Sequence, residues 1–166
     1  MSTTRIKIVE SSILLFNNKG LANVRLQDIA EYNDISPGNL TYHFKTKKDL
    51  MEYIIYYMIR KLVEIENTQR ESLKHMSLYK ILRNNLIFLF NYRFFFRDIL
   101  EIINLVPNAK SVYEDVIIIN EKFTTASINN RTQNGHMTKE SFDGQYRTFA
   151  RKNSVIMSSA LTTWQV

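Results

Sequence analysis

The stretch Asp34–Asp49 reads D-I-S-P-G-N-L-T-Y-H-F-K-T-K-K-D, and its reading decides how the rest of the chain is understood. Ser36-Pro37 predicts a helix start, because the serine hydroxyl can cap and a proline at the first helical position gives up no needed N–H. That helix is short, since Lys45-Thr46 soon interrupts it. Thr46 offers a second cap, with Asp49 three residues on as a weaker form of the capping box. At about 100° per residue, Leu40 and Phe44 share one face. Gly38, Asn39 and Tyr42 point the opposite way, with Thr41 and His43 on the flanks. Two apolar residues hold the helix down, while a bare backbone, an amide, a phenol and an imidazole face outward toward a partner.

Working back toward the N-terminus, Ile6, Val9, Ile13 and Phe16 recur at spacings of three and four and predict an amphipathic helix. Asn17-Asn18-Lys19-Gly20 ends it: Gly20 can take the left-handed closing conformation and Lys19 suits the negative helix end. Leu26, Ile29 and Ala30 form the apolar side of a second, shorter helix, and Tyr32-Asn33-Asp34 breaks it before Ile35. Three helices, the last two joined by a brief turn and the last one outward-facing, make a helix-turn-helix arrangement.

With Gly20-Leu21, Asp28-Ile29-Ala30 and above all the run Ser36–Leu50, the segment from about Arg5 to Met51 resembles the N-terminal domain of tetracycline-repressor-like (TetR/AcrR) transcriptional regulators. The resemblance covers a little under a third of the chain. It implies an all-α protein with a helix-turn-helix DNA-binding domain at 1–47. A larger helical ligand-binding and dimerisation domain follows at 48–166. It also implies double-stranded DNA as partner, a homodimer on a palindromic operator, a small-molecule effector of unknown identity, no cofactor, and a cytoplasmic regulator that is most often a repressor. In such regulators the third helix enters the major groove, where base edges are readable. Carried onto this chain, Ser36 and Pro37 open that helix and Gly38 lets the backbone approach DNA. Asn39 and Thr41 then face the bases, Thr41 through a thymine methyl. Tyr42, His43 and Lys47 match phosphate-contacting positions, which fix placement rather than sequence. Val24-Arg25 departs from the hydroxyl residue common at the start of the second helix, although Arg25 can pair with a phosphate itself. Thr41 stands where tyrosine is frequent. Gln27 faces away from Ile29 and reads equally well as a groove contact or as a solvated surface.

Beyond this segment a long helix is expected from Thr46 to about Glu66, with Leu50, Ile54, Met58, Leu62 and Ile65 buried. Asn67–Met76 reads as a polar connection. Ser77 then caps a helix carrying Leu78, Ile81, Leu82, Leu86, Leu89 and Phe90. A bend near Asn91–Phe95 leads into a helix that ends before Pro107. The next helix has the stripe Val112, Val116, Ile119, Phe123 and Ala126, and Asn129–Thr138 reads as a loop. The last helix begins near Phe142, with Phe142, Tyr146, Phe149, Ile156, Ala160 and Trp164 on one face. By resemblance, Tyr57, Phe88, Tyr92, Phe95, Tyr113 and Phe123 are candidates to line an effector pocket. Aromatic residues at helical spacing are, however, more often plain core. From Asn153 to Val166 there is no charged residue, so roughly 21 Å of helix lacks a charged face. Either it packs on a partner subunit, with Phe149, Ile156, Ala160 and Trp164 in the dimer interface, or the natural chain continues. The family pairs its last two helices in a dimeric bundle, and only the first of them is expected in this sequence.

Bulk properties narrow the classes further. Hydrophobic residues make up 45% and charged residues 23% of 166, an ordinary globular balance. The absence of cysteine excludes disulfides and thiolate metal sites. A net charge of +6 points weakly to a polyanionic partner. The apolar run Leu86–Tyr92 is far short of the roughly 20 residues that cross a membrane. His43, His75 and His136 lie in unrelated segments, which argues against a metal site and, with no phosphate loop or nucleophile elbow, against an enzyme. The alternative function is a small-molecule-binding or dimerisation protein of the same fold that no longer binds an operator.

Overall fold

A computed structural model of the chain describes residues 3–72 and 78–163, and every regular element among them is a helix. The first helix, α1 (Thr3–Lys19), buries Ile8, Val9, Ile13, Leu15 and Phe16 and ends where Gly20 takes φ +84°. Next come α2 (Leu26–Tyr32) and α3 (Pro37–His43). The turn between them passes through Asp34 at φ 54°, a left-handed conformation that aspartate tolerates better than most side chains. Asn33 fixes the approach by donating to Ser11 Oγ at 2.6 Å and to the Ile29 carbonyl at 2.7 Å.

The fourth helix, α4 (Lys47–Ser72), buries Leu50, Ile54, Met58 and Leu62 as the spacing predicts, with Ile65 partly buried. It runs past Glu66, so the polar connection expected from Asn67 is still helix as far as Ser72. Nothing in that segment is a glycine or proline, and Thr68 donates its hydroxyl back to the Glu64 carbonyl at 2.9 Å, a bond compatible with a continuing helix. The expected cap at Ser77 lies outside the described residues.

The second half comprises α5 (Leu78–Asn91), α6 (Arg93–Arg97), α7 (Ile99–Leu105), α8 (Ala109–Gln133) and α9 (Gln145–Thr163). The helix expected before Pro107 is therefore two short pieces, broken at Asp98. On α5 the inward residues are Ile81, Asn85, Phe88 and Leu89, whereas Leu86 and Phe90 stand 47% and 41% exposed. The expected stripe was rotated off the real one because Phe88 and the buried amide of Asn85 take the inner face. Likewise α8 continues through Gln133 and turns Asn120, Thr124, Ser127 and Ile128 inward, leaving Ala126 exposed. A polar buried strip of this kind is invisible to a search for apolar periodicity. α9 packs mainly on α8 and α6, burying Ala150 and Ser154, and it begins three residues after Phe142, which is exposed.

One continuous apolar core runs from Ile8 on α1 to Val116 on α8, without a break where α4 begins. Phe16 and Phe94 lie at its middle, both fully buried with ring centroids 5.5 Å apart. Replacing Phe94 with alanine leaves a cavity between α1 and α6, and the expected loss is about 3–5 kcal/mol, measured as a fall in urea midpoint at unchanged slope.

Candidate nucleic-acid interface

The short helix α3 is built as its sequence suggests. Ser36 accepts the Asn39 N–H on its hydroxyl at 3.1 Å, and Pro37 occupies the first turn. Leu40 and Phe44 are each 1% exposed and hold the helix against the core. At the start of α4 the reciprocal cap is complete: Thr46 N–H donates to Asp49 Oδ2 and Asp49 N–H to Thr46 Oγ1, both at 3.0 Å. α2 has only half of one. Asp28 accepts the Arg25 N–H at 2.6 Å, but the Arg25 side chain has no acceptor to offer in return.

The opposite face of α3 is bare. Ser36, Pro37, Gly38, Asn39 and Thr41 are exposed, and Tyr42 is 84% exposed, far beyond what a tyrosine needs for packing. Its ring stands edge-on to His43, 5.3 Å away, and His43 is half-buried. Thr41 donates its hydroxyl to the Pro37 carbonyl at 2.8 Å, which turns its donor inward. Arg25 and Gln27, on the neighbouring α2 side, are also exposed.

Gly38 needs no freedom for the protein's own sake: a Cβ there would meet only Ser36 Oγ at 3.9 Å. An exposed helical glycine costs conformational entropy relative to alanine. The packing of the chain itself therefore does not require glycine at this position.

Lys47 differs from the others. Its ammonium donates to the Leu21 carbonyl at 2.6 Å and lies 5.8 Å from the Phe16 ring. Burial lowers its pKa, opposed by the carboxylates of Glu101, Asp28 and Asp98. It therefore braces the turn after α1 while keeping two N–H groups for another acceptor.

Behind this face the sequence reading missed the contacts that position it. Arg97 donates to the last carbonyls of α1, Nη2 to Phe16 at 2.7 Å and Nη1 to Asn17 at 3.1 Å. Asp98 pairs with Arg97 at 2.8 Å and accepts the Leu21 N–H at 2.8 Å. That carboxylate holds the guanidinium pKa above its ordinary value. Asn17 answers from α1, its amide donating to the Asn91 carbonyl at 2.7 Å and accepting the Phe94 N–H at 3.0 Å. No local pattern links residues 17 and 97, so no spacing rule finds them.

The candidate pocket residues are dispersed. Phe88, Phe95 and Phe123 are buried in packing, and Tyr113 is half-buried against Phe96, 5.9 Å between centroids. Only Tyr57 and Tyr92 line an open cleft of about 490 Å³, together with Glu10, Leu14, Asn17 and Phe90. Tyr57 donates to Glu10 at 2.9 Å, and burial, aided by that bond, pushes its pKa up to about 12. On α9, Phe149 and Ile156 are 49% and 66% exposed, while Ala160 and Trp164 fall outside the described side chains.

The profile of bacterial regulatory proteins of the tetR family matches residues 8–54, the segment from α1 into α4. A TetR-family transcriptional regulator from Marinobacter aquaeolei VT8 has the same fold over 96% of this chain and 78% of its own, with a TM-score of 0.74 and 25% identity. The N-terminal segment of the chain thus matches the tetR family of bacterial regulatory proteins, and the chain as a whole shares the fold of a TetR-family regulator. Members are transcription regulators rather than enzymes. A probable HTH-type transcriptional regulator, YttP of Bacillus subtilis, is 38% identical over 53 residues, 32% of this chain and 26% of that protein. The HTH-type transcriptional regulator SAR2658 of Staphylococcus aureus is 29% identical over 112 residues, 66% of this chain and 58% of that protein. The chain thus spans from a quarter to somewhat over half the length of these curated relatives. The multidrug binding protein EbrR, in complex with imidazole, shares the fold at 18% identity and a TM-score of 0.52, covering 100% of this chain and 98% of its own. Among the described residues, no helix is long and apolar enough to cross a membrane.

Two substitutions separate building from presenting. Ser36→Ala removes a cap and is expected to cost about 1 kcal/mol of stability. Gly38→Ala is expected to raise stability by about 0.5 kcal/mol, both read from chemical denaturation.

Proposed function

We propose that this chain reads a palindromic operator as a homodimer and acts as a ligand-responsive repressor. The observation that carries the reading is the exposed set on α3: Tyr42 at 84% exposure beside Asn39 and a Gly38 that the fold itself does not require. The roles follow from chemistry. Gly38 admits the DNA backbone close to α3. Asn39 offers a bidentate amide to a base edge. Thr41, its hydroxyl already bonded to Pro37, offers its methyl to thymine. Tyr42, His43 and Lys47 meet phosphates, with Ser36 and Pro37 at the opening of the helix, and Arg25 and Gln27 extend the contact from α2.

One short helix reads only a few base pairs, so a second copy at fixed spacing is needed. The exposed Phe149 and Ile156 on α9 support a dimer seam there. In this reading 1–47 binds DNA and 48–166 carries the effector and dimer functions, on one apolar core that is continuous across the boundary. An effector is supported by the Tyr57–Tyr92 cleft, which lies between α1 and the second part. Such an effector acts only by binding two arrangements of the reading heads unequally.

Selection of bound duplexes from a random pool tests the reading. A palindromic consensus whose affinity falls steeply with salt is the expected result, and no preference over random DNA overturns it. On the selected duplex, Tyr42→Ala should weaken binding to all sequences alike, whereas Asn39→Ala should blur base preference. Gly38→Ala should weaken binding by about tenfold, on the order of 1.4 kcal/mol, despite its more stable fold. Ile156→Asp should shift sedimentation toward the monomer.

A further inference from the structure

We infer that Arg5, in the first turn of α1, is an additional DNA-phosphate anchor, held at the end of the reading helix by two aromatic rings. The inference rests on the operator-binding reading above and goes beyond the residues assigned there. The Arg5 guanidinium carbon lies 4.9 Å from the centroid of Phe44 and 4.3 Å from that of Tyr53. These two rings themselves meet edge-on at 5.6 Å. Phe44 is the C-terminal cap residue of α3, so the cation sits directly against the end of the exposed helix.

The guanidinium is unusually short of polar partners. Its Nε is buried without a hydrogen bond, and among the described residues no hydrogen bond or salt bridge is made to Arg5. Glu10 and Glu52, on the two helices that frame it, are bonded elsewhere: Glu10 accepts from Tyr57, and Glu52 lies 3.9 Å from Lys48. A partly desolvated cation without a counter-charge is costly, and ring stacking offsets only part of that. An arginine whose planar face is stacked presents its remaining N–H groups edgewise, the geometry that suits a phosphate. The neighbouring exposed cations, Lys45 and Lys48, flank the same turn between α3 and α4. A duplex docked on Gly38, Asn39 and Tyr42 would bring its backbone to this edge.

The test uses the full chain and the duplex selected from the random pool, with affinity measured by fluorescence anisotropy across a salt series. Removing one phosphate contact should lower the slope of log affinity against log salt by about 0.9. Arg5→Gln is expected to show that loss together with weaker binding, while Arg5→Lys keeps the slope. Arg5→Met, which retains packing on the rings, serves if the glutamine variant folds poorly, as judged by circular-dichroism melting. Duplexes carrying single neutral methylphosphonates give a second readout. One position should weaken the wild type but leave Arg5→Met unaffected. A slope unchanged in both Arg5→Gln and Arg5→Met, with no such position, overturns the anchor even if affinity falls. A wild-type chain with no preferred duplex overturns the operator reading instead, and the anchor with it.

Discussion

The structure depends on how the C-terminal end of α1 is satisfied. A helix leaves its last carbonyls without intrahelical partners, and here two of them meet side-chain donors from α6. Arg97 supplies two donors to them, and Asp98 both neutralises that guanidinium and takes the Leu21 N–H. Asn17 closes the other half by serving the carbonyl that ends α5 and the amide that starts α6. Each element thus terminates on the other. The break between α5 and α6 and the end of α1 are one feature of the fold, not two.

That mutual termination gives α3 a fixed place. Lys47 reaches back to the Leu21 carbonyl, so the turn after α1 is braced both from the body and from the first turn of α4. Leu40 and Phe44 then seat α3 on this frame with only two side chains. Because so little of α3 is spent on packing, its remaining face is free to carry groups chosen for a partner. The exposed tyrosine and the unneeded glycine are local departures from what stability favours, and such departures gather where function is carried.

Legibility from sequence followed the range of each interaction. The caps at Ser36 and Thr46 and the closing glycine after α1 are local, and their residues could be named from spacing alone. The long stripe on α4 was readable because it is apolar and regular. The stripes on α5 and α8 were not, since Asn85, Asn120, Thr124 and Ser127 are buried polar residues that break the pattern. Polar composition does not by itself mark the end of α4, because polar residues with good helix propensity can extend an exposed helix. The clamp of Arg97 on α1 spans about eighty residues and left no local trace.

The aromatic residues show the same limit from another side. Ten phenylalanines and nine tyrosines invite a pocket, yet Phe94, Phe95 and Phe96 are all within 1% of full burial and serve as packing, Phe94 against Phe16 of α1 and Phe96 against Tyr113 of α8. They fill the space that the polar clamp defines: Asn17 accepts the backbone N–H of Phe94, and Arg97 follows Phe96 in the chain. The apolar core and the hydrogen-bonded junction therefore constrain one another. A change that moved α6 would have to unseat these rings and break the two part-buried bonds from Arg97 to the Phe16 and Asn17 carbonyls at the same time. The ring packing and the polar clamp therefore hold α6 on α1 together, and the turn after α1 that Lys47 braces takes its place from both.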